Sequence, residues 1–212
     1  MEQFIQDTAF FKITYGLFVL TSEHKGRHNG CIINTVMQIT DIPKQIVIAV
    51  NKLNFTHDLV ADSKVFNLSA LTTDTSLDVI KRFGFQSGRD LDKFEGFHDS
   101  IKKSKNGLYH LTLNVNAFFS GEVISAVDYG THMLFAAKVT EASVLSDAPA
   151  LSYQYYFDNI KPKSAPAKGK ATGKRIYVCR ICNYVQEADG ELPDDYICPL
   201  CKHPKADMVL QE

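Results

Sequence analysis

The sequence predicts a mainly β protein, in which a closed or split β-barrel with a few helices is followed by a small metal-bound domain. Three observations lead to this fold class. Segments rich in Val, Ile, Phe and Thr fill most of the first 160 residues. Segments with helical signals are few and short. Four of the five cysteines fall in two close pairs near the C-terminal end.

The strand signals fall in six segments separated by turn residues. Residues 24–30 read as a hairpin loop, and residues 128–131 read as a tight turn between two long strands. Long antiparallel strands covered by a few helices are typical of a closed or split barrel. The predicted strands are residues 15–22, 30–40, 45–51, 64–71, 109–127 and 131–145.

Three helical segments are predicted. The first covers residues 4–12. The second is short and opens at Thr56, whose hydroxyl is the expected cap. The third begins near Thr75 or Ser76, either of which is a suitable cap, and is expected to stop at Gly84.

Composition excludes several functional classes. The chain has 212 residues and a formal net charge of -1, so it offers no basic footprint for nucleic acid. No stretch approaches the ~18 apolar residues of a membrane helix, and the first ten residues lack the pattern of a signal peptide. We therefore expect a cytoplasmic protein whose paired cysteines are reduced metal ligands rather than disulfides.

A segment without large apolar residues divides the chain. Residues 161–174 mix Lys, Pro, Ala and Gly, which is the composition of a flexible linker. We predict a larger domain over residues 1–157, a linker over residues 158–174, and a small domain over residues 175–212.

The four clustered cysteines predict a metal site. Two C-x2-C turns, separated by fifteen residues, can direct four thiolates at one tetrahedral centre. The ligands are Cys179, Cys182, Cys198 and Cys201. Such a site accepts either zinc or iron, and the spacing alone does not choose between them.

The residues around those cysteines resemble the two metal knuckles of the rubredoxin family. Residues 177–184 and 192–201 carry the resemblance, including Pro199 after the third cysteine. It implies one iron ion that alternates between Fe2+ and Fe3+. The segment between the knuckles is shorter than in free-standing rubredoxins, no tryptophan is present, and Asn183 stands where glycine usually follows the second cysteine.

One segment of the larger domain looks suited to an anion. In residues 51–60 a strand ends in a polar turn before a helix, so free backbone N–H groups can face a phosphate. An ordinary capped helix is the alternative explanation. Neither a Rossmann glycine motif nor a P-loop occurs in the chain.

Four segments, in order, resemble the flavin reductase family with the FMN-binding split-barrel fold: residues 29–40, 45–60, 83–94 and 128–139. The resemblance implies FMN bound at a homodimer interface. Asn34, Thr35, Val36, Met37 and Gln38 would line the ring and ribityl chain. Asn51, Lys52, Asn54, Thr56 and His57 would hold ribityl and phosphate, and Ser87, Arg89 and Lys93 would close the site. Because the cofactors carry the hard chemistry, no catalytic acid–base side chain is expected.

The order of the modules resembles a family of fused flavin reductase–rubredoxin proteins. It implies an NAD(P)H oxidoreductase that passes electrons through FMN to the iron. From there they would reach an acceptor such as a flavodiiron protein that reduces oxygen or nitric oxide. Two alternatives remain open at this point. One is a flavin-containing electron carrier reduced by a partner protein rather than by NAD(P)H. The other is a zinc-ribbon interaction module without a redox role.

Overall fold

The structure is a computed structural model and describes residues 5, 7–161, 175–180, 184–199 and 203–211. Nine strands and three short helices lie in the larger domain as described. The strands are β1 Phe18–His24, β2 Arg27–Ile33, β3 Val36–Thr40, β4 Gln45–Asn51, β5 Val65–Leu71, β6 Ile101–Lys103, β7 Tyr109–Leu111, β8 Val115–Asp128 and β9 His132–Val144. The helices are α1 Phe55–Ser63, α2 Leu77–Ile80, which continues as a π-helical turn Lys81–Phe85, and α3 Tyr153–Tyr155, which continues as a π-helical turn Tyr156–Ile160.

Seven of these strands form one antiparallel sheet in the order β2-β1-β5-β8-β9-β4-β3. The strands β2 and β3 lie at opposite edges, yet only Asn34 and Thr35 separate them. Three Cα–Cα steps reach at most ~11 Å, whereas six interstrand spacings in a flat sheet would need ~29 Å. The sheet must therefore curl until its two edges come close together, which confirms the predicted barrel.

The interior of the barrel is built from aliphatic and aromatic side chains. Leu20, Ile48, Phe66, Leu68 and Phe135 are at most 1% exposed and belong to one cluster of buried residues. They come from four strands (β1, β4, β5 and β9). Strand β4 alternates buried and partly buried residues with the period of two of a half-buried strand, whereas β5 is buried continuously from Phe66 to Leu71.

The first hairpin loop is shorter than predicted. The chain reverses at Lys25 and Gly26, whose φ angles of 52° and 80° fit a two-residue hairpin turn. Consequently His28 to Gly30 lie in β2 rather than in a loop, so that part of the prediction is wrong. The tight turn predicted at residues 128–131 is confirmed, because β8 ends at Asp128 and β9 begins at His132.

The helix boundaries also differ from the predicted ones. Helix α1 begins at Phe55 with Asn54 as its N-cap residue, so Thr56 is not the cap. Helix α2 begins after Ser76, as expected, but the helical path continues through Gly84 to Phe85, so Gly84 does not end it. Asp7–Lys12 forms a 3₁₀ helix within the first predicted segment.

The small domain has three short strands: β10 Arg175–Cys179, β11 Val185–Ala188 and β12 Met208–Gln211, in the order β11-β10-β12. Lys161 is 8% exposed and ends the described part of the larger domain. The rest of the predicted linker, residues 162–174, lies outside the described residues, so its flexibility stays a prediction. No helix among the described residues is long and apolar enough to cross a membrane.

Candidate functional site

Helix α1 begins directly beyond the end of β4, after a three-residue turn. Asn54 is extended (ψ 130°) and its side chain makes no capping hydrogen bond. The His57 N–H donates to the Asn54 carbonyl at 2.9 Å, so the N–H groups of Phe55 and Thr56, at the positive end of the helix dipole, are the donors left for the anion that the sequence predicts.

Thr56 is fixed by a residue distant in sequence. Its hydroxyl accepts a hydrogen bond from Asn29 Nδ2 on β2 at 2.9 Å, and both side chains are buried. The oxygen of the same side-chain amide, Asn29 Oδ1, is buried and has no hydrogen-bond partner among the described residues. A buried polar atom of this kind is costly unless a ligand or water meets it.

Gly88 approaches that same amide closely. A Cβ built on Gly88 would lie 2.0 Å from Asn29 Oδ1 and 2.3 Å from its Cγ. Any larger residue would displace the amide, so glycine is required where the 83–94 segment passes over β2.

A cavity of about 250 Å³ opens at this point, and we call it the polar cavity. It brings together Asn54, Thr56, Ser87 and Lys93 of the predicted site residues. Its lining comprises Asn29, Cys31, Leu53, Asn54, Phe55, Thr56, Gly84, Phe85, Gln86, Ser87, Gly88 and Lys93, with His203 and Pro204 of the small domain.

Lys93 is buried, with 3% exposure. Its Nζ donates to the carbonyl oxygens of Gly30 at 2.9 Å and Phe83 at 3.2 Å. Burial lowers the pKa of Lys93 from 10.5 to about 8, and burial raises the pKa of the neighbouring Cys31 thiol. Lys93 thus fastens the 83–94 segment to β2 and holds the polar cavity in shape.

Arg89 lies in a neighbouring cavity of about 420 Å³, which we call the arginine cavity. Its Nη2 donates to Asp58 Oδ2 at 2.7 Å. The guanidinium carbon of Arg89 lies 5.1 Å from the centre of the Phe55 ring, and that of Arg27 lies 4.4 Å from it. Sequence reasoning missed Arg27 and Asn29, because their roles depend on the register of the β1–β2 hairpin.

Three predicted residues adjoin the start of α1 without lining the polar cavity. Asn51 Oδ1 accepts a hydrogen bond from the backbone N–H of Leu53. Lys52 Nζ donates to Asp128 Oδ2 at 2.8 Å, which keeps the pKa of that carboxyl below its usual range. His57 Nδ1 lies 3.0 Å from Asp58 Oδ1, and its Nε2 is buried with no partner among the described residues.

The segment predicted to contact the flavin ring forms the crossing between the two sheet edges. Asn34 and Thr35 make the crossing, and the Thr35 hydroxyl donates to Asn34 Oδ1 at 3.0 Å. Val36, Met37 and Gln38 on β3 line a third cavity of about 300 Å³, together with Phe18, Lys44, Gln45, Ile46, Phe119, Val139 and Ala142. The structure therefore distributes the predicted site residues around several cavities.

The described part of the small domain contains two of the four predicted metal ligands. Cys179 and Cys198 are fully buried, whereas Cys182 and Cys201 lie outside the described residues. The backbone N–H of Cys179 donates to the carbonyl of Tyr184, and that of Cys198 donates to the carbonyl of His203, both at 2.8 Å. Each bond spans five residues and closes a loop around one C-x2-C pair.

A small core supports these two loops. Tyr177, Leu192 and Met208 are at most 8% exposed. The hydroxyl groups of Tyr184 and Tyr196 both donate to Gln186 Oε1, at 3.3 and 3.0 Å. The two loops are thus equivalent in their backbone bonding and are held in one sheet-based unit, as a tetrahedral site with two ligand pairs requires.

Comparison with known proteins identifies the class. The model of the flavin reductase like domain family matches residues 10–163, and the model of the rubrerythrin, rubredoxin-like domain matches residues 177–208. The chain belongs to the flavin reductase-like family and carries a C-terminal rubredoxin-like domain. It is a flavin-dependent oxidoreductase of the electron-transfer type.

Two relatives are similar over most of their length. The high molecular weight rubredoxin of Moorella thermoacetica is 36% identical over 217 residues, covering 91% of this chain and 94% of that protein. The ferric-chelate reductase (NAD(P)H) of Archaeoglobus fulgidus is 41% identical over 148 residues, covering 70% of this chain and 86% of that protein.

Solved structures share the fold at lower identity. An FMN-binding protein from Thermus thermophilus, crystallised with 1-cyclohex-2-enone, is 20% identical with a TM-score of 0.59, covering 68% of this chain and 78% of that one. BorF, the flavin reductase component of a bacterial two-component tryptophan halogenase, is 19% identical with a TM-score of 0.61, covering 68% and 89%. The predicted fold class is confirmed.

Proposed function

We propose that this chain is an NAD(P)H oxidoreductase that uses FMN and passes electrons to one iron ion at Cys179, Cys182, Cys198 and Cys201. The polar cavity is the observation that carries the proposal, because it combines an uncapped helix start, two hydroxyl-bearing residues and an unpartnered buried amide oxygen. Those features match a phosphate ester with a polyhydroxyl chain better than an apolar ligand.

The residues around the cavity fit FMN in the following way. The N–H groups at the start of α1, with the side chains of Asn54, Thr56 and Ser87, would bind the phosphate. Asn29 Oδ1 would accept a hydrogen bond from a ribityl hydroxyl, since a phosphate dianion has no proton to donate. Lys93 would add positive charge behind the cavity while it holds the 83–94 segment in place.

The crossing between β2 and β3 would support the ring. Residues 34–38 offer backbone groups at a sheet edge, where no described strand besides β4 pairs with β3, although the Thr35 carbonyl already accepts a hydrogen bond from the Ala49 N–H. Asn51, Lys52, His57 and Arg89 would orient the ribityl chain and the phosphate from the other side. Bound FMN would accept a hydride as two electrons and release them singly, which a one-electron iron centre requires.

The small domain would hold iron rather than zinc. Its two buried cysteines and matching backbone loops fit either metal, and the rubredoxin-like match favours iron. His203 and Pro204, which follow the last cysteine closely, line the polar cavity. This proximity supports electron passage from the flavin site to the small domain.

We further propose a homodimer with FMN at its interface. Exposed apolar side chains on β3 and on the second half of β8 with its following turn are candidates for that interface: Met37 (60% exposed), Ile39 (42%), Ile124 (54%), Val127 (46%) and Tyr129 (68%). Such a surface is typical of a subunit interface. The external acceptor would be a redox protein such as a flavodiiron protein, and the location would be cytoplasmic.

The visible spectrum of the purified protein is the first test. Yellow flavin bands with red ferric-thiolate bands support the proposal, whereas a colourless protein with one zinc ion per chain would leave an interaction module. The second test is anaerobic stopped-flow mixing with NADH and with NADPH. Bleaching of the flavin bands, followed by bleaching of the iron bands, is expected. Failure of both nucleotides to bleach the flavin would instead indicate a carrier reduced by a partner protein.

A further inference from the structure

The arginine cavity lies beside the polar cavity, and of its lining residues only Arg89 has a role in the function proposed above. The β1–β2 turn, the 88–94 segment and β7 enclose it, and Gly88 lines both cavities. Its volume of about 420 Å³ falls within the ~300–1,000 Å³ of small-molecule sites. A ligand that occupied both cavities would pass over Gly88.

Two arginines line the arginine cavity. The guanidinium groups of Arg27 and Arg89 both lie over the ring of Phe55, the first residue of α1. Arg89 is already paired with Asp58, whereas Arg27 has no carboxylate of the described residues within ion-pairing distance. Guanidinium groups bind phosphate oxygens through two N–H groups at once, so this pair suits a diphosphate.

Aromatic rings also line the arginine cavity. The rings of His28 and Tyr109 lie 4.6 Å apart between centres, and those of Phe94 and Tyr109 lie 5.1 Å apart. Burial lowers the pKa of His28, which favours the neutral ring. Phe94 is 3% exposed and the Lys103 ammonium lies 5.4 Å from the centre of the Tyr109 ring, so His28 and Tyr109 are the rings left to contact a purine base.

Two carboxylates restrict which ligand the arginine cavity can hold. Asp90 and Asp92 also line the cavity, and Asp92 Oδ1 accepts a hydrogen bond from the backbone N–H of Phe94 at 2.8 Å. A carboxylate accepts hydrogen bonds from ribose hydroxyls, but it repels an additional phosphate on the ribose.

From these features we propose that the arginine cavity binds the adenosine diphosphate half of a dinucleotide that lacks a 2′-phosphate. The diphosphate would contact Arg27 and Arg89, the ribose would contact Asp90 or Asp92, and adenine would lie against His28 and Tyr109. The proposal rests on the proposed function in one respect, namely that a dinucleotide visits this domain. Two sources share the chemistry, the donor NADH and the flavin FAD, and the experiment separates them.

The test measures binding of ADP-ribose by titration calorimetry to the full-length protein, with and without bound FMN. Arg27→Gln is compared with Lys25→Gln, which removes the same charge from the same hairpin outside the cavity. Loss of a charge-assisted contact should weaken ADP-ribose binding about 10-fold or more in Arg27→Gln and less than 2-fold in Lys25→Gln. ADP-ribose carrying a 2′-phosphate should bind more weakly than ADP-ribose to the native chain.

Each result decides between sources or rejects the site. Binding to the FMN-loaded protein that added FAD does not displace assigns the cavity to the nicotinamide dinucleotide. Binding to the FMN-loaded protein that FAD displaces assigns it to FAD. Binding only to the flavin-free protein would mean that FMN itself blocks the cavity, and it would overturn the proposal. No measurable binding in either form, or equal weakening in both variants, overturns the proposal. Unchanged melting temperatures of the two variants exclude a folding defect, and flavin bleaching by NADH tests the proposed function separately.

Discussion

Replacement of Gly88 by alanine tests whether the contact between the 83–94 segment and β2 builds the flavin site. The new Cβ would lie 2.0 Å from Asn29 Oδ1 and 2.6 Å from Asn29 Nδ2. Because Asn29 is only 2% exposed, its amide cannot move into solvent. It must turn away from Thr56 and lose the 2.9 Å hydrogen bond between them.

The magnitude follows from the two parts of that change. Overpacking of a buried position costs ~1–3 kcal/mol, and an unsatisfied buried polar group costs ~1–3 kcal/mol. We expect Gly88→Ala to lower the free energy of unfolding of the larger domain by about 2–6 kcal/mol. We also expect its affinity for FMN to fall at least about 10-fold, since both the cavity wall and the Asn29 amide shift.

The assays are urea unfolding followed by circular dichroism for the flavin-free protein, and quenching of flavin fluorescence for FMN affinity. Gly121→Ala is the matched control, because its Cβ would lie 2.5 Å from the ring of the fully buried Phe66, within the barrel core. It should destabilise the fold and leave FMN affinity within about 2-fold. Native-like FMN binding by Gly88→Ala, or an equal loss in both variants, would refute the reasoning.

Three further predictions concern charge, metal and assembly. The pKa of Lys93 is lowered from 10.5 to about 8 in the folded protein. Between these two pH values the unfolded chain holds the proton and the folded chain does not, so the free energy of unfolding rises with pH. Relative to Lys93→Met, the native free energy of unfolding should therefore rise by up to about 3 kcal/mol between pH 8 and 10.5 in urea titrations, and a constant difference would contradict this. Cys198→Ser should abolish ferric-thiolate absorption while NADH still bleaches the flavin, and loss of both signals would argue against separate functions for the domains. Ile124→Lys should shift the protein toward monomer in sedimentation velocity, whereas Leu113→Lys, at an exposed position outside the strands, should not; unchanged dimers in both would place the interface elsewhere.

The fold could be predicted from the sequence because its strands carry strong local signals. Segments such as residues 45–51 alternate buried and partly buried β-branched residues, and the tight turn before His132 has turn chemistry that is readable on its own. The break between β2 and β3 was not predicted, since residues 30–40 are continuous in strand propensity. That break is set by closure of the barrel, a tertiary effect.

The site was predicted less completely for a related reason. The helix start after β4 is a local feature, so it could be anticipated, and the anion site there stays a prediction. However, Thr56 serves as the partner of Asn29 rather than as the helix cap. The register of the β1–β2 hairpin brings Asn29 and Arg27 to the site. The residues next to them in sequence give no sign of that position. The four proposed metal ligands were the easiest to single out, because their spacing itself is the signal.

The two-residue crossing between β2 and β3 makes the seam of the barrel coincide with the segment proposed to hold the flavin ring. A ligand bound there would join the two edges of the sheet, so its binding energy would oppose opening of the barrel. Cofactor loading should then raise the melting temperature in proportion to the logarithm of the flavin concentration. Opening at the seam would likewise be the route by which the cofactor escapes. The rate at which the holoprotein loses its cofactor would then be set by the rate at which the barrel opens locally.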